Sequence, residues 1–183
     1  MKRLAFLASY NGSSARAITE ACRDGTLNAA PILIISNNAK STALQWAADN
    51  DLKNFHVNGN DEEIINILQN HDIDLIVLSG YMKLIGPEIV QAFPNKILNI
   101  HPALLPKYGG QGMYGRNVHE AVKAAGDLET GITIHYVDEI YDNGTIIAQK
   151  KISLKASDSV DEIEQKVRAA EPGFYTETLQ TLL

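Results

Sequence analysis

Four short apolar runs, with helix-like segments between them, constrain this chain more than any other feature. They are Leu4-Ala5-Phe6-Leu7-Ala8, Pro31-Ile32-Leu33-Ile34-Ile35-Ser36, Asn54-Phe55-His56-Val57 and Leu75-Ile76-Val77-Leu78-Ser79-Gly80. The longer ones are continuously apolar rather than alternating. A strand of that kind needs cover on both faces, as in the interior of a parallel sheet. Helices are expected between them at Ala15–Cys22, Ser41–Asn50 and Glu62–Asn70, the last repeating Ile64, Ile65, Ile67 and Leu68 at helical spacing. Strand and helix in alternation predict an α/β fold: a Rossmann-like open sheet, mostly parallel, with helices on both faces. In such sheets ligands sit beyond the carboxyl ends of the strands. The loops at 11–14, 79–84 and 101–107 are therefore expected to converge on one edge.

Each of those loops carries polar or conformationally special residues. After the first strand, Asn11-Gly12-Ser13-Ser14 leads into a helix, a geometry in which free backbone amides can meet an anion. Gly12 permits close approach, and Ser13 or Ser14 would cap the helix. The segment Tyr81-Met82-Lys83-Leu84-Ile85 is largely apolar for a loop and could wall a flat ligand. Gly86-Pro87 opens a helix that runs to about Ala92. Then comes Lys96-Ile97-Leu98-Asn99-Ile100-His101-Pro102-Ala103-Leu104-Leu105-Pro106-Lys107, an apolar strand that places Asn99 and His101 on one side and stops at two prolines. By itself this could be a strand end satisfying its own backbone.

Downstream, Gly109 to Gly115 holds four glycines in seven residues, either a lid or an ordinary long loop. A helix follows over Val118–Ala125. Strands at Gly131–Val137 and Thr145–Ile152 predict an antiparallel hairpin near the C-terminal end, joined by an acidic loop. Asp142-Asn143-Gly144 in that loop is a turn signal, which suffices to account for Asp142 locally. A last helix is expected over Ser159–Glu171, with Ser159 and Glu162 as a capping box and Glu171-Pro172-Gly173 as its end. Trp46 and Cys22 read as core residues. Residues 1–183 show no repeat, low-complexity segment or boundary and read as one domain.

Composition narrows the function classes. A net charge of −6 argues against a nucleic-acid binder. One cysteine rules out an intrachain disulfide and a thiolate zinc cluster. No apolar stretch is long enough to cross a membrane. The expectation is a cytoplasmic protein that needs no metal.

In combination these motifs resemble the folate-dependent formyltransferase superfamily. The resemblance rests on Asn-Ile-His-Pro-Ala-Leu-Leu-Pro at 99–106 and Ser-Gly-Tyr-Met-Lys-Leu-Ile at 79–85. It rests equally on Thr-Gly-Ile-Thr-Ile-His-Tyr-Val-Asp-Glu-x-Tyr-Asp-Asn-Gly at 130–144. Asn-Gly-Ser-Ser at 11–14 narrows it to the branch acting on glycinamide ribonucleotide. The resemblance implies transfer of a formyl group from 10-formyltetrahydrofolate, the cosubstrate, to the amine of glycinamide ribonucleotide in purine biosynthesis. It implies a catalytic set of Asn99, His101 and Asp142, and substrate contacts at Gly12, Ser13, Ser14 and Glu171. It implies folate contacts at Tyr81, Met82, Lys83, Leu84, Ile85, Val90, Ile97, Val137, Asp138 and Tyr141. Ser14 departs from the asparagine usual in that loop. A hydrolase of the same superfamily would carry a His-His pair where this chain has His101-Pro102, and a non-catalytic binding module would not need the intact set.

Overall fold

The computed structural model describes residues 1–183. Seven strands form one sheet: β1 (Lys2–Leu7), β2 (Ala29–Ser36), β3 (Lys53–His56), β4 (Leu75–Leu78), β5 (Ile97–His101), β6 (Glu129–Tyr136) and β7 (Ile146–Ser153). Their order is β3-β2-β1-β4-β5-β6-β7. The first five are parallel, and β6 and β7 continue the sheet in antiparallel pairing. Helices α1 (Ser13–Arg23), α2 (Thr42–Asp49), α3 (Asp61–Asn70), α4 (Pro87–Ala92), α5 (Arg116–Ala124) and α6 (Val160–Leu182) surround it.

The continuous apolar runs explain this layering. Leu4 and Phe6 of β1, and Ala8 just after it, face a core shared with Ala15 and Ile18 of α1, Ala43 and Ala47 of α2, and Tyr175 and Leu179 of α6. The alternate residues Ala5 and Leu7 face a second core with Ile64 and Leu68 of α3 and Ile89 of α4. Both faces of the strand are thus filled, as the lack of alternation predicts. The chain winds outward from β1 to β3, then crosses to β4 on the other side of β1. That crossing leaves a crevice between the β1 and β4 loops, where open α/β sheets bind ligands.

Two local expectations need correction. Neither Ser13 nor Ser14 caps α1: Gly12 is the cap, at φ 61 and ψ 45, and no side chain bonds there. Both serines lie inside the first turn, and Asn11 Oδ1 accepts the Ser13 N–H at 3.0 Å from outside it. Trp46, half-buried, packs on the first core as expected, with the Arg16 guanidinium 5.3 Å above its ring. Finally, Pro172 does not end α6, which runs through it to Leu182. An interior proline costs about 3 kcal/mol. Phe174, Tyr175 and Leu179 beyond it are buried, and each such side chain contributes about 1.5–3 kcal/mol on leaving water, so packing outweighs the break. The expected capping box at Ser159 and Glu162 is present.

Candidate active site

The site begins in the register of β5 against β6. Asn99 lies opposite His135 and His101 opposite Thr133. Cross-strand partners share a face, so these four side chains stand on the same side of the sheet. The intervening Leu98, Ile132 and Ile134 point into the first core. The side-chain contacts follow: Asn99 Nδ2 is 3.2 Å from His135 Nε2. Thr133 Oγ1 donates to the Ala103 carbonyl and accepts the Leu105 N–H, fixing the proline-bounded loop.

Asp142 reaches this face from the hairpin loop. Its Oδ2 is 3.4 Å from His101 Nδ1 and accepts the Gly110 N–H at 3.0 Å, and its Oδ1 is 3.6 Å from His135 Nε2. Asp142 does sit in a turn, in left-handed backbone at φ 54, a conformation aspartate tolerates better than most residues. The turn and the approach to His101 belong to one residue. Burial by itself would raise the Asp142 pKa. The His101 ring and the Gly110 N–H oppose that, and the carboxyl is held well below the usual range, so it is ionised.

His101 is 3% exposed, a catalytic candidate enclosed rather than open to the crevice. Its Nε2 lies 2.7 Å from the Tyr108 carbonyl oxygen. A carbonyl can only accept, so Nε2 carries a proton here. Nδ1 faces the Asp142 carboxylate, also an acceptor, so a ring protonated on both nitrogens satisfies both neighbours. Tyr108 presents its carbonyl from left-handed backbone at φ 58, and its Oη donates to Asp127 at 2.7 Å.

The loops after β1 and β4 are tied together at the crevice. Ser9 Oγ accepts the Met82 N–H at 2.8 Å, and Ser79 Oγ accepts the Ala15 N–H at 3.1 Å. Gly12 is required twice over: its φ is left-handed, and a Cβ there would press on Ala8 and Ala43 at 3.3 and 3.2 Å. Ser13 is exposed at the mouth, whereas Ser14 is buried.

The residues expected to contact folate divide into buried or half-buried ones and exposed ones. Ile85 and Ile97 lie in the second core, with Val90, Val137 and Tyr81 packed on it. Met82, Lys83, Leu84 and Tyr141 are exposed. The 137–141 loop is held by Asp138, which accepts from the Ile140 N–H and from Asn143 Nδ2. Gln91 of α4 donates to Glu139 of the same loop at 3.1 Å. Gly110, at the start of the glycine-rich loop, is anchored on Asp142.

Glu171 stands on α6, half-buried and without an ion pair. Burial raises its pKa to about 7. Arg168 and His101 pull it down, and the charge of Glu164 adds to the rise. His119 on α5 is 2% exposed with no partner at Nδ1, and burial lowers its pKa.

His135, Thr133 and Tyr108 belong to this cluster although no sequence argument singles them out. For the first two a signal existed: in Ile132-Thr133-Ile134-His135 the polar residues alternate with core residues, which places them on the opposite face. Tyr108 enters through its backbone, for which the sequence carries no sign.

A family model described as formyl transferase matches residues 2–179. The chain is 39% identical over 187 residues to the chloroplastic phosphoribosylglycinamide formyltransferase of Arabidopsis thaliana, covering 97% of this chain and 64% of that one. It therefore spans just under two thirds of the plant protein. It is 40% identical over 183 residues to the phosphoribosylglycinamide formyltransferase of Haemophilus influenzae, covering 96% and 84%. Among solved structures, glycinamide ribonucleotide transformylase 1 of Symbiobacterium toebii superposes with a TM-score of 0.92 at 29% identity, over 100% of this chain and 87% of that one.

Proposed function

Because the chain belongs to the formyl transferase family, we propose that it moves a formyl group from 10-formyltetrahydrofolate to the primary amine of glycinamide ribonucleotide, a step of purine biosynthesis. The observation that supports this most is the meeting of Asn99, His101 and Asp142, from two separate segments, at the strand ends.

The chemistry asks for what these groups offer. Attack of the amine on the formyl carbon puts negative charge on the formyl oxygen. An Asn99 N–H aimed at that oxygen stabilises it, and removing one such donor typically costs about 3 kcal/mol. The amine must lose a proton and the departing folate nitrogen must gain one. His101 gives the Nε2 proton, which now hydrogen-bonds the Tyr108 carbonyl, to the departing folate nitrogen and recovers one from the amine, so the reacting group takes that carbonyl's place when substrate binds. Asp142 holds the ring through Nδ1 and stabilises its charged form. Gly12, Ser13 and the start of α1 would receive the phosphate, Ser14 being turned inward. Glu171 would take the ribose hydroxyls. The folate would lie between the 81–85 and 137–141 loops. No step requires a metal. The same reading puts the protein in the cytoplasm; the relative from Arabidopsis is by its name chloroplastic.

Incubation with 10-formyltetrahydrofolate, with and without glycinamide ribonucleotide, tests the proposal. Folate deformylation that depends on the amine is expected. Amine-independent release of formate would instead identify a hydrolase, and no turnover would leave a binding module.

A further inference from the structure

Within the cluster at the β5–β6 strand ends, His135 is the side chain that the mechanism above leaves without a task. It is 2% exposed, and its hydrogen bonds fix its chemical state. Nδ1 lies 2.8 Å from the Tyr136 carbonyl oxygen. A carbonyl only accepts, so Nδ1 carries the proton and the Nε2 of a neutral ring presents a lone pair. Two groups face it, and of these only the Asn99 amide can donate to a lone pair. Asn99 Nδ2 is within hydrogen-bond reach at 3.2 Å, whereas Asp142 Oδ1, at 3.6 Å, is beyond it. Only the nitrogen end of the Asn99 carboxamide can meet a lone pair, because the oxygen end would set two acceptors against each other. The ring therefore selects one of the two orientations available to the amide.

We propose that His135 is a positioning residue for Asn99: its neutral Nε2 accepts one Asn99 N–H, leaving the second aimed at the developing oxyanion. This rests on the formyl-transfer reading above. Without His135 the carboxamide is free to turn, and half of its orientations offer the formyl oxygen another oxygen. The other groups around the ring fit this state. Asp142 is secured by Gly110 and His101 and does not need His135. Were His135 doubly protonated, its Nε2–H would turn to Asp142 and Asn99 would have to flip. One neutral ring thus keeps two neighbours from exchanging partners.

Two near-isosteres separate positioning from packing. The amide oxygen of glutamine can stand where Nε2 stands, keeping the acceptor for Asn99. Asparagine can stand where Nδ1 stands, keeping only the tie to Tyr136. His135→Asn is expected to lower kcat at least about tenfold with KM for both substrates unchanged, and His135→Gln to recover most of that loss. Because His135 acts through Asn99, adding His135→Asn to Asn99→Ala should slow the enzyme no further. Nitrogen-15 NMR of the wild-type chain at pH 7.5 should find the His135 ring neutral with the proton on Nδ1. The Asn99 side-chain amide signal should move in His135→Asn. The proposal is overturned by a doubly protonated ring, by additive effects in the double variant, or by His135→Asn outperforming His135→Gln. A wild-type chain that shows the expected ring state but transfers no formyl group would refute the assigned activity and leave the Asn99–His135 pairing standing.

Discussion

Replacing Asp142 by asparagine removes one charge from the centre of the site and almost no volume. The carboxamide oxygen of the variant could still accept the Gly110 N–H, so the loop keeps its anchor. What disappears is the attraction between the carboxylate and the His101 ring at 3.4 Å. At an effective dielectric near 20 that attraction is about 5 kcal/mol. Solvent reaches Asp142, which is 11% exposed, and the amide retains part of the contact, so about half of this is at stake in the reaction. Each step of about 1.4 kcal/mol is a factor of ten in rate, which puts the loss of kcat at roughly 10²-fold. Amine-dependent deformylation of 10-formyltetrahydrofolate, followed by absorbance, measures it, with circular dichroism and a thermal melt to establish folding. A folded Asp142→Asn protein with kcat within about threefold of wild type would refute the role given to the carboxylate. Stability should change in a specific pH window as well. The folded-state pKa of Asp142 is depressed, so its contribution is present above the unfolded value near 3.8 and is lost as pH falls below it. Asp142→Asn should weaken that acid-side dependence.

Glu171 carries the opposite sign. Its pKa is raised from 4.5 to about 7, so the folded state is unpenalised below pH 4.5 and loses stability as pH rises through 7. Glu171→Gln should therefore melt higher than wild type at pH 8, by up to about 3 kcal/mol of stability, match it near pH 4, and bind the nucleotide more weakly. Gly144→Ala places a Cβ against the Tyr136 carbonyl oxygen, a backbone group that cannot yield. Displacing the hairpin loop should cost about 1–3 kcal/mol and carry Asp142 off His101, so kcat should fall together with the melting temperature.

The parts of this molecule legible in the sequence are those governed by short-range rules. Continuous apolar runs at Leu75–Leu78 and Ile32–Ile35 became buried parallel strands because nothing else satisfies a strand without a polar face. Gly12 and Asp142-Asn143-Gly144 were legible as turns because few residues accept left-handed backbone. Where local and tertiary terms compete, the local reading failed. Pro172 is a helix breaker by every local rule, yet α6 passes through it because Phe174, Tyr175 and Leu179 have a core to enter. Ser13 and Ser14 are good caps by type, but Gly12 takes the cap at positive φ and draws them into the helix. The pairing of Asn99 with His135 was out of reach for a different reason. It depends on the β5–β6 register, and a shift by one residue would have turned His135 to the other face.

That dependence bears on why the site is built across a parallel-to-antiparallel junction. The β1 to β5 strands deliver their loops to one edge, but they deliver only residues at strand ends. Because β6 runs antiparallel to β5, it starts near the loop after His101 and lays Thr133 and His135 directly beside His101 and Asn99. Thr133 then fixes the loop that carries Leu105, while His135 faces Asn99. Continuing the hairpin brings Asp142 back over the same face, where it closes on His101 and on Gly110 of the glycine-rich loop. A further parallel strand would enter from the opposite end of the sheet. The hairpin instead packs two polar side chains and a returning carboxylate onto the pair at Asn99 and His101. Those two residues therefore act as catalytic candidates because of the strand that follows them, not because of the strand they occupy.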